Sequence, residues 1–147
     1  MKKTLLILFC VLTCFAFANA QTVSLDEAVE AFLDEMERDF GALRDSSAET
    51  GIKVDPSAKY DAAKKEIVLE TRFEPAIWAY FNSEAMDAIK AETISTYKSS
   101  YKIDSDFRTL IGLMSSNNVK FRIIYSCIEN GRVKIKDFTI TPEEITK

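Results

Sequence analysis

The chain has 147 residues with 19 Lys or Arg against 23 Asp or Glu. Its formal charge of −4 gives no global case for nucleic acid or an anionic membrane as partner. It contains no histidine, which removes the usual general base, the commonest zinc ligand and every Ser-His or Cys-His nucleophile. Gly41, Gly51, Gly112 and Gly131 stand far apart, so no phosphate-binding loop exists, and neither a cofactor nor a metal is expected.

Residues 1–20, MKKTLLILFCVLTCFAFANA, have the plan of an export signal. Lys2 and Lys3 form the basic start, Thr4 to Phe17 the apolar stretch, and Ala18-Asn19-Ala20 the small-residue cleavage site. The double-lysine start is bacterial in style, so the expected destination is the periplasm or the extracellular space, with cleavage after Ala20. A rival reading makes Cys14 a lipid-modified cysteine. Leu12-Thr13 before it fits that signal less well than Ala-Asn-Ala fits signal peptidase. Loss of the leader removes two cations and no acid, and it takes Cys10 and Cys14 with it. Cys127 then stands alone, which excludes an internal disulfide. Residues 21–147 hold no repeat, no linker and no second apolar run long enough to span a bilayer. They read as a single domain that is not an integral membrane protein.

The first element is the clearest. Leu25, Ala28, Val29, Phe32, Leu33, Met36, Phe40 and Leu43 recur at helical spacing. Ser24 with Glu27 forms a capping box, and Val23 sits at the hydrophobic-staple position. The opposite face carries Glu30, Asp34, Glu35, Glu37 and Asp39, the composition of a solvated surface. Gly51 can end this helix, and Asp55-Pro56 marks a turn. Two strands follow, AKYD and EIVLETRF, joined around AAKK. In the second, Ile67, Leu69, Thr71 and Phe73 share one face, with Glu66, Val68, Glu70 and Arg72 on the other.

Beyond Pro75, the run Ile77 to Phe81 fits either a short helix or an extended segment. Asn82 or Ser83 caps a helix lined by Met86, Ile89, Thr93, Tyr97 and Tyr101. A further helix starts at Asp104 or Ser105, carries Phe107, Leu110, Ile111 and Met114 on one side, and stops near Asn117-Asn118.

The last stretch is a hairpin around Asn130-Gly131. A two-residue turn pairs Ile128 with Val133 and leaves apolar residues on both faces. A three-residue turn with Gly131 in a left-handed bulge pairs Cys127 with Val133 and Tyr125 with Ile135. It gathers Phe121, Ile123, Tyr125, Cys127, Val133 and Ile135 on one side, with an irregularity near Asp137 to bring in Phe138 and Ile140. Because a half-buried sheet needs one consistently apolar side, the bulged register is expected, with Lys120, Arg122, Lys134 and Lys136 opposite.

The element order is helix, two strands, two helices, two strands. It predicts an α+β domain: an antiparallel four-stranded sheet built from two hairpins, with helices packed on one face. This order, with the YD…IVL and ENGR patterns, resembles small secreted bacterial α+β domains of unassigned function. The resemblance implies a fold and no activity.

Three groups of residues are candidates for function. The aromatics Trp78, Tyr80, Phe81, Tyr97 and Tyr101 flank the second long helix and could line a ligand-binding surface, although core packing also accounts for them. Lys120, Arg122, Lys134 and Lys136, with Arg132 at the turn, form an electrostatic patch suited to an acidic partner or anionic glycan. The alternative is a solvated face paired with Glu66 and Glu70. Asp104 to Asp106 lacks the ligand spacing of a calcium loop and is better explained as a helix cap. Cys127, with no histidine to activate it, reads as a buried side chain. The function expected is therefore an exported, non-catalytic binding or accessory domain contacting an unknown protein or small ligand. The alternative is a carboxylate-dependent hydrolase acting on envelope polysaccharide. An inhibitor of an extracellular enzyme would need a long exposed loop, and none is visible.

Overall fold

The structure, a computed structural model, describes residues 22–147. The leader read at 1–20, with its rival at Cys14, lies outside the described residues. Helix α1, Leu25–Thr50, begins with both halves of the predicted capping box. The Ser24 hydroxyl accepts from the Glu27 amide at 3.3 Å, and the Glu27 carboxylate accepts from the Ser24 amide at 2.8 Å. It ends at Gly51, whose φ of 73° is the left-handed cap that glycine adopts without a Cβ clash.

Strand β1, Val54–Asp61, is longer than the predicted AKYD and runs straight through Asp55-Pro56, which is no turn. Proline has no amide to donate, so it is tolerated only where the ladder does not need one. β1 is an edge strand and meets that condition. The Pro56 carbonyl accepts from the Arg44 guanidinium of α1 at 2.6 Å, which ties the helix to this edge. Strand β2, Glu66–Phe73, pairs antiparallel with β1 from Asp61 opposite Glu66 to Val54 opposite Phe73. The faces are as predicted: Ile67 and Phe73 enter the core, and Glu66 and Arg72 look the other way.

The undecided run after β2 is helical at its start. Helix α2 is Pro75–Trp78, α3 is Ser83–Ile103 and α4 is Ser105–Asn117. Asn82 caps α3 by accepting from the Ala85 amide at 2.8 Å. Asp104 caps α4 by accepting from the amides of Asp106 and Phe107. This cap is the role that the acidic stretch 104–106 predicts.

Strands β3, Lys120–Glu129, and β4, Arg132–Ile140, close the sheet in the order β1-β2-β3-β4. Both predicted hairpins are present, but the sheet is mixed rather than antiparallel, because β3 runs parallel to β2. The physical reason is the helical connection. A crossover of three helices returns the chain to the starting end of β2, so Lys120 lies opposite Glu66. The Lys120 amide donates to the Lys65 carbonyl at 3.1 Å. A last short helix, α5, Pro142–Thr146, is an element beyond the predicted order. Its signals, Thr141 as cap, Pro142 at the first position and Glu144 reaching back to the Thr141 amide, were all in the sequence.

The core forms between the helices and one sheet face. Phe32, Ile67, Phe107, Ile111, Met114, Phe121 and Ile140 are at its centre, and Ile145 of α5 seals one end. Rings from α1, α3 and α4 converge on Phe121: Phe32 at 5.6 Å, Tyr97 at 5.0 Å and Phe107 at 6.4 Å between centroids.

Candidate binding surface at the tip of the last hairpin

The register of β3 against β4 decides what the protein shows to its surroundings. Glu129 pairs with Arg132, so the turn is the two-residue kind and the bulged register does not form. Asn130 and Gly131 have φ of 51° and 72°, the pair of positive values that a type I′ turn requires, and Asn-Gly adopts both readily. The tight turn also places Phe138 opposite Ile123 and Ile140 opposite Phe121 with no irregularity near Asp137. The base of the hairpin thus gains a fully apolar inner face, and the mismatch is pushed to the tip.

At the tip β4 turns the opposite faces from those predicted, while Tyr125 and Cys127 of β3 keep the predicted inner side. Ile128 pairs with Val133, and Ser126 with Ile135, on the outer side of the sheet. Ile128, Val133 and Ile135 are 47%, 59% and 56% exposed. Exposed large apolar side chains such as Tyr80 and Ile103 are ordinary when they stand singly. Three on adjacent strand positions form a patch, and Ile124 continues it inward. The signal lay in the two-residue alternative, which leaves apolar residues on both faces.

The same register divides the expected electrostatic patch. Lys120 and Arg122 lie on the outer face, while Arg132, Lys134 and Lys136 share the inner side with Cys127 and Tyr125. The outer pair is neutralised across strands. Lys120 and Arg122 reach Glu66 at 3.3 and 3.6 Å, and Arg122 donates to Asp137 at 2.8 Å, which raises the guanidinium pKa further. Glu70 accepts from the Ser126 hydroxyl at 2.6 Å and lies 3.7 Å from Arg72. Of the inner three, Lys134 bonds Glu129, which raises its pKa, and Lys136 stands 5.4 Å above the Trp78 ring. Arg132 has no ion pair among the described residues and is exposed.

The five candidate aromatics are not one surface. Phe81 is buried, stacks on Tyr125 at 5.0 Å and adjoins Phe73 and Trp78. Tyr97 is buried between Phe107 and Phe121, and burial pushes its phenol pKa up. Burial, and then Tyr97 nearby, does the same to Tyr125, so both phenols stay protonated. Tyr101 is half-buried under the Arg108 guanidinium at 6.0 Å, and Tyr80 is exposed. Trp78 reaches the hairpin through Lys136, and Phe81 reaches it at the same level through Tyr125, which lies opposite Lys136.

Cys127 is buried and unpaired, on the side predicted. Its cross-strand neighbour, however, is Lys134, which the bulged register would place on the opposite face. Among carboxylates, the clustered group is Glu35 and Asp39, one turn apart on α1, with Asp104 and Asp106 near enough to act on Glu35. Burial first, then these acids against the opposition of Arg38, raises the Glu35 pKa; burial likewise raises that of Asp39. Among the described residues no three acids or Cys come together in a way that could hold a metal ion, and no helix is long and apolar enough to cross a membrane.

The fold and surface define an α+β domain with one sheet face left open. No family model, curated protein or solved structure matches the chain.

Proposed function

We propose that this chain is an exported, non-catalytic binding domain whose contact surface is the tip of the β3–β4 hairpin. The observation that carries this reading is the apolar group Ile128, Val133 and Ile135, half exposed on the sheet face where Lys120, Arg122, Glu66 and Asp137 pair with one another. Aliphatic side chains held in water by a rigid ladder cost free energy that a partner recovers on covering them. The absence of histidine supports a role without general-base chemistry, and the leader supports one outside the cytoplasm.

Two measurements test it. N-terminal sequencing of the exported protein should start at Gln21, and a lipid on Cys14 would sink the soluble form of the reading. A photo-crosslinking side chain at position 133 should trap a partner in cells that export the protein, whereas one at Ser57, on the outer face of β1, should not. Adding Ile128→Thr and Ile135→Thr should abolish the position-133 product. Equal trapping at both positions, or none, overturns the contact surface.

A further inference from the structure

β4 is an edge strand, and its two sides differ in a way that specifies what can pair with it. In a two-residue hairpin the residues flanking the turn form a hydrogen-bonded pair, and bonding alternates from there. Arg132, Lys134 and Lys136 therefore direct their amides and carbonyls to β3. Those of Val133, Ile135, Asp137 and Thr139 point away from it, and no described strand occupies that edge. A strand laid along the edge would meet two different rows. On the outer face it meets Val133 and Ile135, both more than half exposed. On the inner face it meets three cations at alternate positions: Arg132, which has no ion pair among the described residues, Lys134, which also bonds Glu129, and Lys136, which stands over Trp78.

We propose that β4 accepts an extended segment of a partner protein as a fifth strand, and that this segment alternates acidic with aliphatic residues. This rests on the hairpin tip being the contact surface. Residues directly opposite across a strand pair come within about 5 Å, close enough for carboxylates to meet Arg132 and Lys134 while valines or isoleucines cover Val133 and Ile135. Strand addition supplies backbone hydrogen bonds, and the alternating side chains supply selectivity. A second copy of this chain does not fit, because β4 against β4 sets the rows of cations against each other. Lysines on an exposed edge discourage such self-pairing, and an acidic partner strand turns that same protection into recognition.

The probe is a seven-residue peptide alternating glutamate with valine and isoleucine, compared with one carrying lysine in place of glutamate. In amide-resolved NMR, the acidic peptide should slow hydrogen exchange at Val133, Ile135 and Asp137 at least tenfold and bind at least tenfold more tightly than the basic one. Arg132→Glu with Lys134→Glu should reverse that preference. Should the double variant misfold, the exchange pattern of the natural chain still decides. Equal binding of both peptides, protection elsewhere, or binding of anionic vesicles or polysaccharide with no peptide binding overturns strand addition. Failure of the peptides while position 133 still traps a protein leaves the contact surface standing and removes only the strand. Failure of both removes the surface itself.

Discussion

The two ends of the β3–β4 hairpin share one ladder and yet live in different solvents. At the base, Phe121 packs among rings of α1, α3 and α4 and is removed from water with Ile140. Ile123 with the partly buried Phe138 continues that apolar side. At the tip, Ile128 with Val133 and Ser126 with Ile135 lie past or beside the last residues of β2, and the aliphatics stay half exposed. The β2–β3 pairing ends at Phe73 opposite Cys127, so the final turn of the hairpin projects beyond its neighbour. A regular ladder can satisfy only one apolar face, and the buried base wins because more area leaves water there.

The largest effect should separate the ends outright. Phe121→Ala removes a ring that three others pack against and should cost about 3–5 kcal/mol in urea unfolding. Val133→Thr, on the exposed face, should stay within about 0.5 kcal/mol. Similar losses at both positions would mean that the tip is buried after all. Next, Gly131→Ala puts a Cβ on a backbone at φ 72° and should cost about 1–2 kcal/mol, with chemical-shift changes confined to the tip. Changes that reach Phe138 would show that the turn, and not the core, sets the register.

A smaller effect belongs to the helix over the base. Glu35 is 8% exposed, and its Oε2 has no hydrogen-bond partner among the described residues. Because its folded pKa is raised, the native state holds the proton to higher pH than the unfolded chain does. Stability should therefore fall as pH rises from the ordinary carboxylate range through the raised value, and the penalty is complete above it. Glu35→Gln should melt higher than the natural chain at pH 7, with the gap closing as pH drops below the ordinary glutamate value. A gap independent of pH would assign the gain to packing instead. The smallest effect is kinetic. Cys127 lies at the boundary between the ends and is fully buried, so a thiol reagent should modify it only at the rate of local opening. Modification as fast as in urea would place that boundary nearer the core.

Local chemistry made much of this molecule legible in the sequence. Ser24 with Glu27, Asn82, Asp104 and Asn118 cap or stop helices where their side chains and tolerance of positive φ predict. Strand alternation alone put Cys127 on the buried side. The binding surface was half legible. Asn130-Gly131 announced the tight turn, but preference for a single apolar face argued for the wrong register and placed Lys134 and Lys136 with Lys120. Phe81 and Tyr97 looked like recognition residues because composition cannot show that rings from other elements already surround them.

What the amino-acid order determined by itself is what neighbouring residues settle: helix caps, helical stripes, strand alternation and the presence of the two hairpins, but not the register of the last. Tertiary structure alone decided that β3 lies parallel to β2 and that Pro56 is tolerated on an edge. It alone decided which end of the last hairpin is covered. Those outcomes depend on where a crossover of three helices returns the chain and how far the helical layer reaches, distances that no local pattern encodes.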